Sequence, residues 1–128
     1  IEASITFPSV NGNLVNWPAF WTDGQNWATT GEFDIAEVLG GQMTTNYHWG
    51  NPAQTSNSGP IPGNWTGKHV YGQLWTPSLQ AVYFDGNLVK VRSANIVSAP
   101  QYIILNHGAT STPSVGTEML VDYVKVWQ

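Results

Sequence analysis

No stretch of this chain sustains a 3.6-residue apolar stripe beyond two turns, while short segments alternating apolar and polar residues recur along its whole length. A chain written this way can bury its apolar surface only by pairing strands and stacking the resulting sheets. Ile1, Ala3, Ile5 and Phe7 alternate with Glu2, Ser4 and Thr6, describing a strand with one apolar face that ends at Pro8. Further extended segments are expected at residues 17–21, 33–39, 44–49, 69–75, 81–84, 88–92, 102–106 and 120–127, punctuated by Gly, Pro and Asn. Asp85-Gly86 marks a tight hairpin between two of them. Residues 51–67, with three prolines and little periodicity, read as loop. Many short strands at regular spacing predict an all-β antiparallel sandwich. A chain of 128 residues builds one sizeable core and not two, so residues 1–128 are expected to form a single domain.

Composition narrows what such a sandwich can bind. Only 9% of residues are charged, far below the usual quarter, so solubility rests on Asn, Gln, Ser, Thr and Gly. That surface is common in extracellular β-proteins, and an extracellular, secreted location is expected. The chain starts at Ile1 with no signal peptide, which reads as a processed or trimmed product. Eight acids stand against four scattered bases (Lys68, Lys90, Arg92, Lys125), which argues against nucleic acid as a partner. No apolar run approaches membrane-spanning length, and no membrane partner is expected. Without cysteine there is neither a disulfide framework nor a thiolate metal site. Seven tryptophans in a charge-poor, amide-rich chain suit a sugar cleft: a pyranose ring stacks its apolar face on indole and pairs its hydroxyls with amides.

The stretch that carries chemistry is Gly31-Glu32-Phe33-Asp34-Ile35-Ala36-Glu37. Three of the eight acids fall within six residues, among Phe, Ile and Val. Acids are depleted in strands and like charges on one face repel, so stability alone does not explain this arrangement. Glu32 and Asp34, two apart, share a face. Glu37 would face the other way unless a β-bulge near Ile35-Ala36 re-aims it. With that bulge the glutamate Cα atoms stand about 13 Å apart. Side chains leaning inward then bring the carboxyls to about 5–6 Å, the separation of a retaining rather than an inverting glycosidase. A solvated acidic face and a calcium cluster are the competing readings of the same residues. By strand parity Trp17, Ala19 and Trp21 face the cleft and Phe20 faces the core. Trp27, in the loop before the acidic strand, is placed to stack on sugar, and Asn106 to pair with a hydroxyl. His48 and Asn46 share one face of the next strand.

In order along the chain, Trp17-Pro18-Ala19-Phe20-Trp21, the acidic run, Lys68-His69-Val70-Tyr71, Trp75-Thr76-Pro77, Tyr83-Phe84-Asp85-Gly86, Ile103-Ile104-Leu105-Asn106 and Val121 to Trp127 resemble family 16 glycoside hydrolases. That family includes laminarinases, lichenases, agarases and carrageenases. The acidic run matches its E-x-D-x-x-E signature in the bulged form, which leans toward laminarinase-like or galactan-cleaving members. The resemblance implies a concanavalin-like jelly roll, here incomplete at its N-terminus, and an endo-acting retaining β-glycosidase on polysaccharide. It implies Glu32 as nucleophile, Glu37 as acid/base, Asp34 between them, and His48 near the acid/base. No cofactor is required, although a structural calcium ion through Asp122 is suggested by family members that use an aspartate in the last strand.

Two other functions fit the same scaffold. A non-catalytic carbohydrate-binding module would share the sandwich but usually lacks the full acid trio. A transglycosylase would share the first half-reaction and use a sugar acceptor in place of water. Loss of N-terminal strands would leave the strand at Ile1 without partners, so completion of the sandwich by another chain or a second copy is expected.

Overall fold

The computed structural model describes residues 1–128, and every regular element in it is a strand. In chain order these are β1 (Glu2–Thr6), β2 (Ser9–Val10), β3 (Asn13–Leu14), β4 (Trp17–Asp23), β5 (Glu32–Leu39), β6 (Gln42–Trp49) and β7 (Gln54–Ser58). They continue with β8 (Lys68–Thr76), β9 (Leu79–Phe84), β10 (Asn87–Arg92), β11 (Tyr102–Gly108) and β12 (Leu120–Lys125). One antiparallel sheet runs β10-β9-β8-β1-β12 and a second runs β11-β4-β5-β6-β7, while β2 and β3 form a small hairpin. The two large sheets stack as a sandwich.

The core between them follows from strand alternation. Ala3, Ile5 and Phe7 on one side meet Phe20, Ile35, Val38 and Met43 on the other, with Tyr71, Val82 and Phe84 completing the layer. Phe7 and Tyr71 meet edge-on at 5.2 Å. Further along, Phe33 stacks on Tyr47 at 4.4 Å and Tyr47 on Trp49 at 4.9 Å. At the β9–β10 turn Asp85 and Gly86 both take positive φ (48° and 76°), which Asp and Gly tolerate better than most residues.

Two expectations change. The strand at Ile1 is not left without partners. It lies inside its sheet between β8 and β12, in register with both, and the terminal amine donates to Gln73 O at 2.8 Å. Ser4, on the face opposite Ala3 and Ile5, is also buried, while Glu2 and Thr6 on that face are half-buried. The presumed loop 51–67 contains β7, an edge strand paired with β6 from Thr45↔Ser58 to Trp49↔Gln54. Its sequence Gln-Thr-Ser-Asn-Ser has no apolar residue and therefore no periodicity to read. Backbone pairing alone makes it a strand.

The two ends of the sandwich differ. At the β10/β7 end, buried Arg92 spans the sheets, donating to Gln80 Oε1 at 2.8 Å, Thr45 O at 2.8 Å and Ser56 O at 3.2 Å. At the other end β12 and β11 are the edges, with Tyr102, Leu120, Val126 and Trp127 exposed. The buried guanidinium is a polar seal whose loss orphans several acceptors. Arg92→Ala should therefore lower unfolding free energy by about 2–3 kcal/mol, and Arg92→Lys should recover little, because an ammonium cannot reproduce the planar fork. Urea melts of the three proteins measure this, and near-wild-type stability of Arg92→Ala would show the seal to be dispensable.

Candidate active site

The site is organised by one irregularity in β5. On the β6 side Asp34 pairs with Asn46 and Glu37 with Thr44, so three steps along β5 match two along β6. On the β4 side Asp34 opposes Trp21 and Ala36 opposes Phe20, with Ile35 passed over. This is a β-bulge. Its consequence is visible in burial: Ile35 and Ala36, adjacent in sequence, both point into the core with no exposed surface. Glu37 is thereby returned to the face that carries Glu32 and Asp34. Two hydroxyls from β6 hold the distorted segment, Thr45 Oγ1 donating to Asp34 O at 2.7 Å and Thr44 Oγ1 to Glu37 O at 3.0 Å. Just upstream, Gly31 takes φ 80° against Val97, where any Cβ would collide. The glycine thus sets the approach to Glu32.

The three carboxyls line a cleft of about 910 Å³ on the outer face of the second sheet. All the other expected sugar-contacting residues, Trp17, Trp21, Trp27, His48 and Asn106, also line it. Trp17 is half exposed, but its indole N–H donates to Glu37 Oε1 at 2.7 Å, a role that strand parity does not reveal. Trp21 donates to Asn106 Oδ1 at 2.8 Å, which fixes the ring and occupies the amide oxygen. Trp27 is 57% exposed, at 6.1 Å from the His48 ring. Asn46 donates to Glu37 Oε2 at 2.6 Å, so both oxygens of Glu37 are held. Its place beside His48 on β6 was readable, but its bond to Glu37 depends on the bulge. Thr55 and Asn57 of β7 complete one wall. Neither residue carries a sequence signal, because β7 has no apolar residue to alternate with.

Electrostatics are crowded. Asp34 is 4% exposed, with Oδ2 buried and without a hydrogen-bond donor. His48 Nε2 stands 3.4 Å from Asp34 Oδ2 and 3.5 Å from Glu32 Oε1. Burial, then the Asp34 charge, push Glu32 from its ordinary 4.5 up to about 7, partly offset by His48. Glu37 is raised by burial and by Asp34, against the hydrogen bonds from Trp17 and Asn46. His48 is raised above its ordinary 6.5, first by the Asp34 carboxylate 3.4 Å from its Nε2. A set of carboxyls this close shares protons rather than ionising independently. What the arrangement can do is hold one carboxyl protonated beside another that is ionised.

Asp122 lies away from the cleft, on β12. Lys68 Nζ sits 3.0 Å from its Oδ2 and Ser4 Oγ donates to the same oxygen at 3.4 Å. A lysine of this chain thus supplies the counter-charge there.

The sequence model described as glycosyl hydrolases family 16 matches residues 1–113. No curated protein matches the chain. Among solved structures, a laminarinase from Flavobacterium sp. UMI-01 is similar at 27% identity and TM-score 0.77, over 99% of this chain and 65% of that one. LamAcat from Zobellia galactanivorans is 26% identical with TM-score 0.71, over 94% and 59% respectively. An endo-β-1,3-glucanase from Pyrococcus furiosus is 27% identical with TM-score 0.70, over 94% and 57%. The chain thus spans about three fifths of the length of these proteins.

The raised groups tie stability to pH. Glu32, Glu37 and His48 all bind protons more tightly folded than unfolded. Their contribution is therefore fully present at low pH and is lost as pH rises through the folded values. Thermal midpoints should fall between pH 5 and pH 7, and Glu32→Gln, which cannot titrate, should flatten that slope. A midpoint that rises over this range in wild type, or an unchanged slope in the variant, would contradict the electrostatic picture.

Proposed function

This chain belongs to glycosyl hydrolases family 16, and on that premise we propose that it is the catalytic portion of an endo-acting, retaining hydrolase of β-1,3-linked glucan. The observation that carries the reading is the bulge, which sets Glu32, Asp34 and Glu37 on one face beneath a single cleft. Two solved structures at 27% identity, described as a laminarinase and an endo-β-1,3-glucanase, support the choice of substrate.

The reaction is a double displacement. Glu37 gives its proton to the glycosidic oxygen as the Glu32 carboxylate attacks the anomeric carbon; the aglycone leaves and a glycosyl ester forms on Glu32. Glu37, now ionised, takes a proton from water, the water oxygen attacks the same carbon, and Glu32 departs as carboxylate. The first step needs Glu32 ionised and Glu37 protonated. In the free cleft, burial and the Asp34 charge raise Glu32 to about 7, and the positive charge on His48 works against that rise, while the same Asp34 charge helps to keep the proton on Glu37. Trp17 and Asn46 fix both oxygens of Glu37, so its proton is delivered from a set direction. The exposed indoles supply stacking surface along the glucan. Both steps are complete with side chains alone and call for no cofactor. Because a polymer of this kind is met outside the cell, an extracellular location goes with the reading.

Two experiments test the mechanism. Proton NMR of early hydrolysis should show the β anomer released first, and initial α anomer would overturn retention. Glu37→Ala should lose about 10²–10⁴-fold on laminarin but much less on aryl glycosides whose leaving group needs no proton. Glu32→Ala should be inactive on both, and added azide should give the glycosyl azide of inverted configuration. Identical behaviour of the two variants on an activated substrate would reject the division of roles.

The indole N–H of Trp17 stabilises ionised Glu37, so removing it should raise the pKa of Glu37. In Trp17→Phe the alkaline limb of kcat/KM should therefore move to higher pH while the ring still packs. An alkaline limb that stays in place would mean that the Trp17 bond does not tune the acid/base.

A further inference from the structure

Glu32 and Asp34 face an imidazole as well as each other, and the three donor atoms lie within 4.8 Å of one another. Two of the separations are shorter: His48 Nε2 to Asp34 Oδ2 is 3.4 Å and His48 Nε2 to Glu32 Oε1 is 3.5 Å. In a tetrahedral site with zinc–nitrogen and zinc–oxygen bonds of about 2.0–2.1 Å, neighbouring donors stand about 3.3–3.4 Å apart. Two edges of such a tetrahedron are therefore already at length. A small turn of the Glu32 side chain, which borders the open cleft, closes the third.

A second observation is independent of this spacing. Asp34 is 96% buried, and its Oδ2 points at this space with no hydrogen-bond donor of its own. A buried carboxylate oxygen left in that condition is costly, and a cation relieves it. The imidazole is also set for ligation: Nδ1 lies 2.9 Å from Thr55 Oγ1. With Nδ1 donating to that hydroxyl, Nε2 faces the two carboxylates, and an incoming cation displaces the Nε2 proton and takes up its lone pair; an outer-sphere bond of this kind is what orients ligating histidines.

We infer that Glu32, Asp34 and His48 form a binding site for one divalent cation of the zinc class, with a fourth position open to the cleft. The donor set selects the metal. Calcium and magnesium call for six or more oxygens, whereas two carboxylates and an imidazole match three-ligand zinc sites that keep a water. The ion would not serve the hydrolysis described above. It would take up the Glu32 lone pair that attacks the anomeric carbon, so zinc and glucan compete for the same cleft. That competition rests on the proposed activity, but the metal site itself does not.

The test uses the full chain, stripped with a chelator and titrated with Zn²⁺ at pH 7.5 by calorimetry. One ion per chain is expected, and in proton NMR it should shift the ring signals of His48 and leave those of His69 and His107 in place. His48→Gln should weaken binding at least tenfold, the scale on which disturbing metal-site geometry acts. His69→Gln, which breaks the other histidine–carboxylate pair (His69 Nδ1 to Asp85 Oδ2, 2.8 Å), should bind as wild type. Absence of binding, full binding by a folded His48→Gln, or ring shifts at His69 or His107 in wild type would each overturn the site. The wild-type NMR experiment keeps the test decisive if His48→Gln does not fold. Zinc should also raise KM for laminarin and leave kcat unchanged. A chain that binds zinc at His48 without hydrolysing glucan would sink the proposed function and leave this inference standing.

Discussion

The extra residue between Asp34 and Glu37 is the constraint on which the site depends. A regular strand would send Glu37 into the core, beside Ile35 and Phe33, where an unpaired carboxylate is prohibitive. It would also bring Ala36 and Val38 out into the cleft. The bulge reverses both, and burial shows the result: Ile35, Ala36 and Val38 are all inside while Glu32, Asp34 and Glu37 share the outside. A bulge interrupts the ladder and leaves backbone groups to be satisfied elsewhere. Here the consecutive hydroxyls Thr44 and Thr45 donate to the carbonyls of Glu37 and Asp34, the residues that bracket the irregularity. Thr45 is in turn tied through its own carbonyl to buried Arg92. The chemistry on one face of β5 is thus braced by polar contacts reaching through the sandwich.

The same residues explain how three acids are tolerated in one strand. Repulsion is relieved in three ways: by raised proton affinity at Glu32 and Glu37, by the neighbouring imidazole, and by neutral donors on Glu37. The relief is uneven. Glu37 has a donor on each oxygen, whereas Asp34 Oδ2 has none. A folded domain bears this local cost because the rest of the sheet is paired and the core beneath it is closely packed. The conflict between strand stability and charge is what singles the stretch out as a candidate site rather than a scaffold.

That conflict is also why the acidic strand was legible from the sequence. Acids spaced for one face, with a five-residue gap that breaks parity, specify a bulge before any fold is known. Strands with an apolar face were legible too, because alternation records burial. Two things were not. The polar strand β7 has nothing to alternate, since one side faces the cleft and its outer edge faces solvent, so Thr55 and Asn57 were lost with it. The neighbours of β1 were not legible either. Alternation reports which face is buried, but pairing with β12, about 120 residues distant, depends on how the chain returns. Side-chain bonds lie further from the sequence still. Parity places the Trp17 ring at the cleft, but its N–H reaches Glu37 only because the bulge brings that carboxyl across from Ala19.

The position of β5 gives the site its internal logic. It is the middle strand of its sheet, with β4 and β6 on either side and β11 and β7 at the edges. The carboxyls, their threonine braces, the two donors on Glu37 and the imidazole all come from β4, β5 and β6. The edge strands contribute walls: Asn106 from β11, and Thr55 and Asn57 from β7. The central strands thus hold the carboxyls, and β4 also brings two cleft-lining indoles, Trp17 and Trp21. On the β11 side Asn106 fixes the Trp21 ring through its amide oxygen. The edges still reach the carboxyl cluster at one remove: Thr55 of β7 lies 2.9 Å from His48 Nδ1, and Gly108 of β11 pairs with Trp17, whose indole holds Glu37.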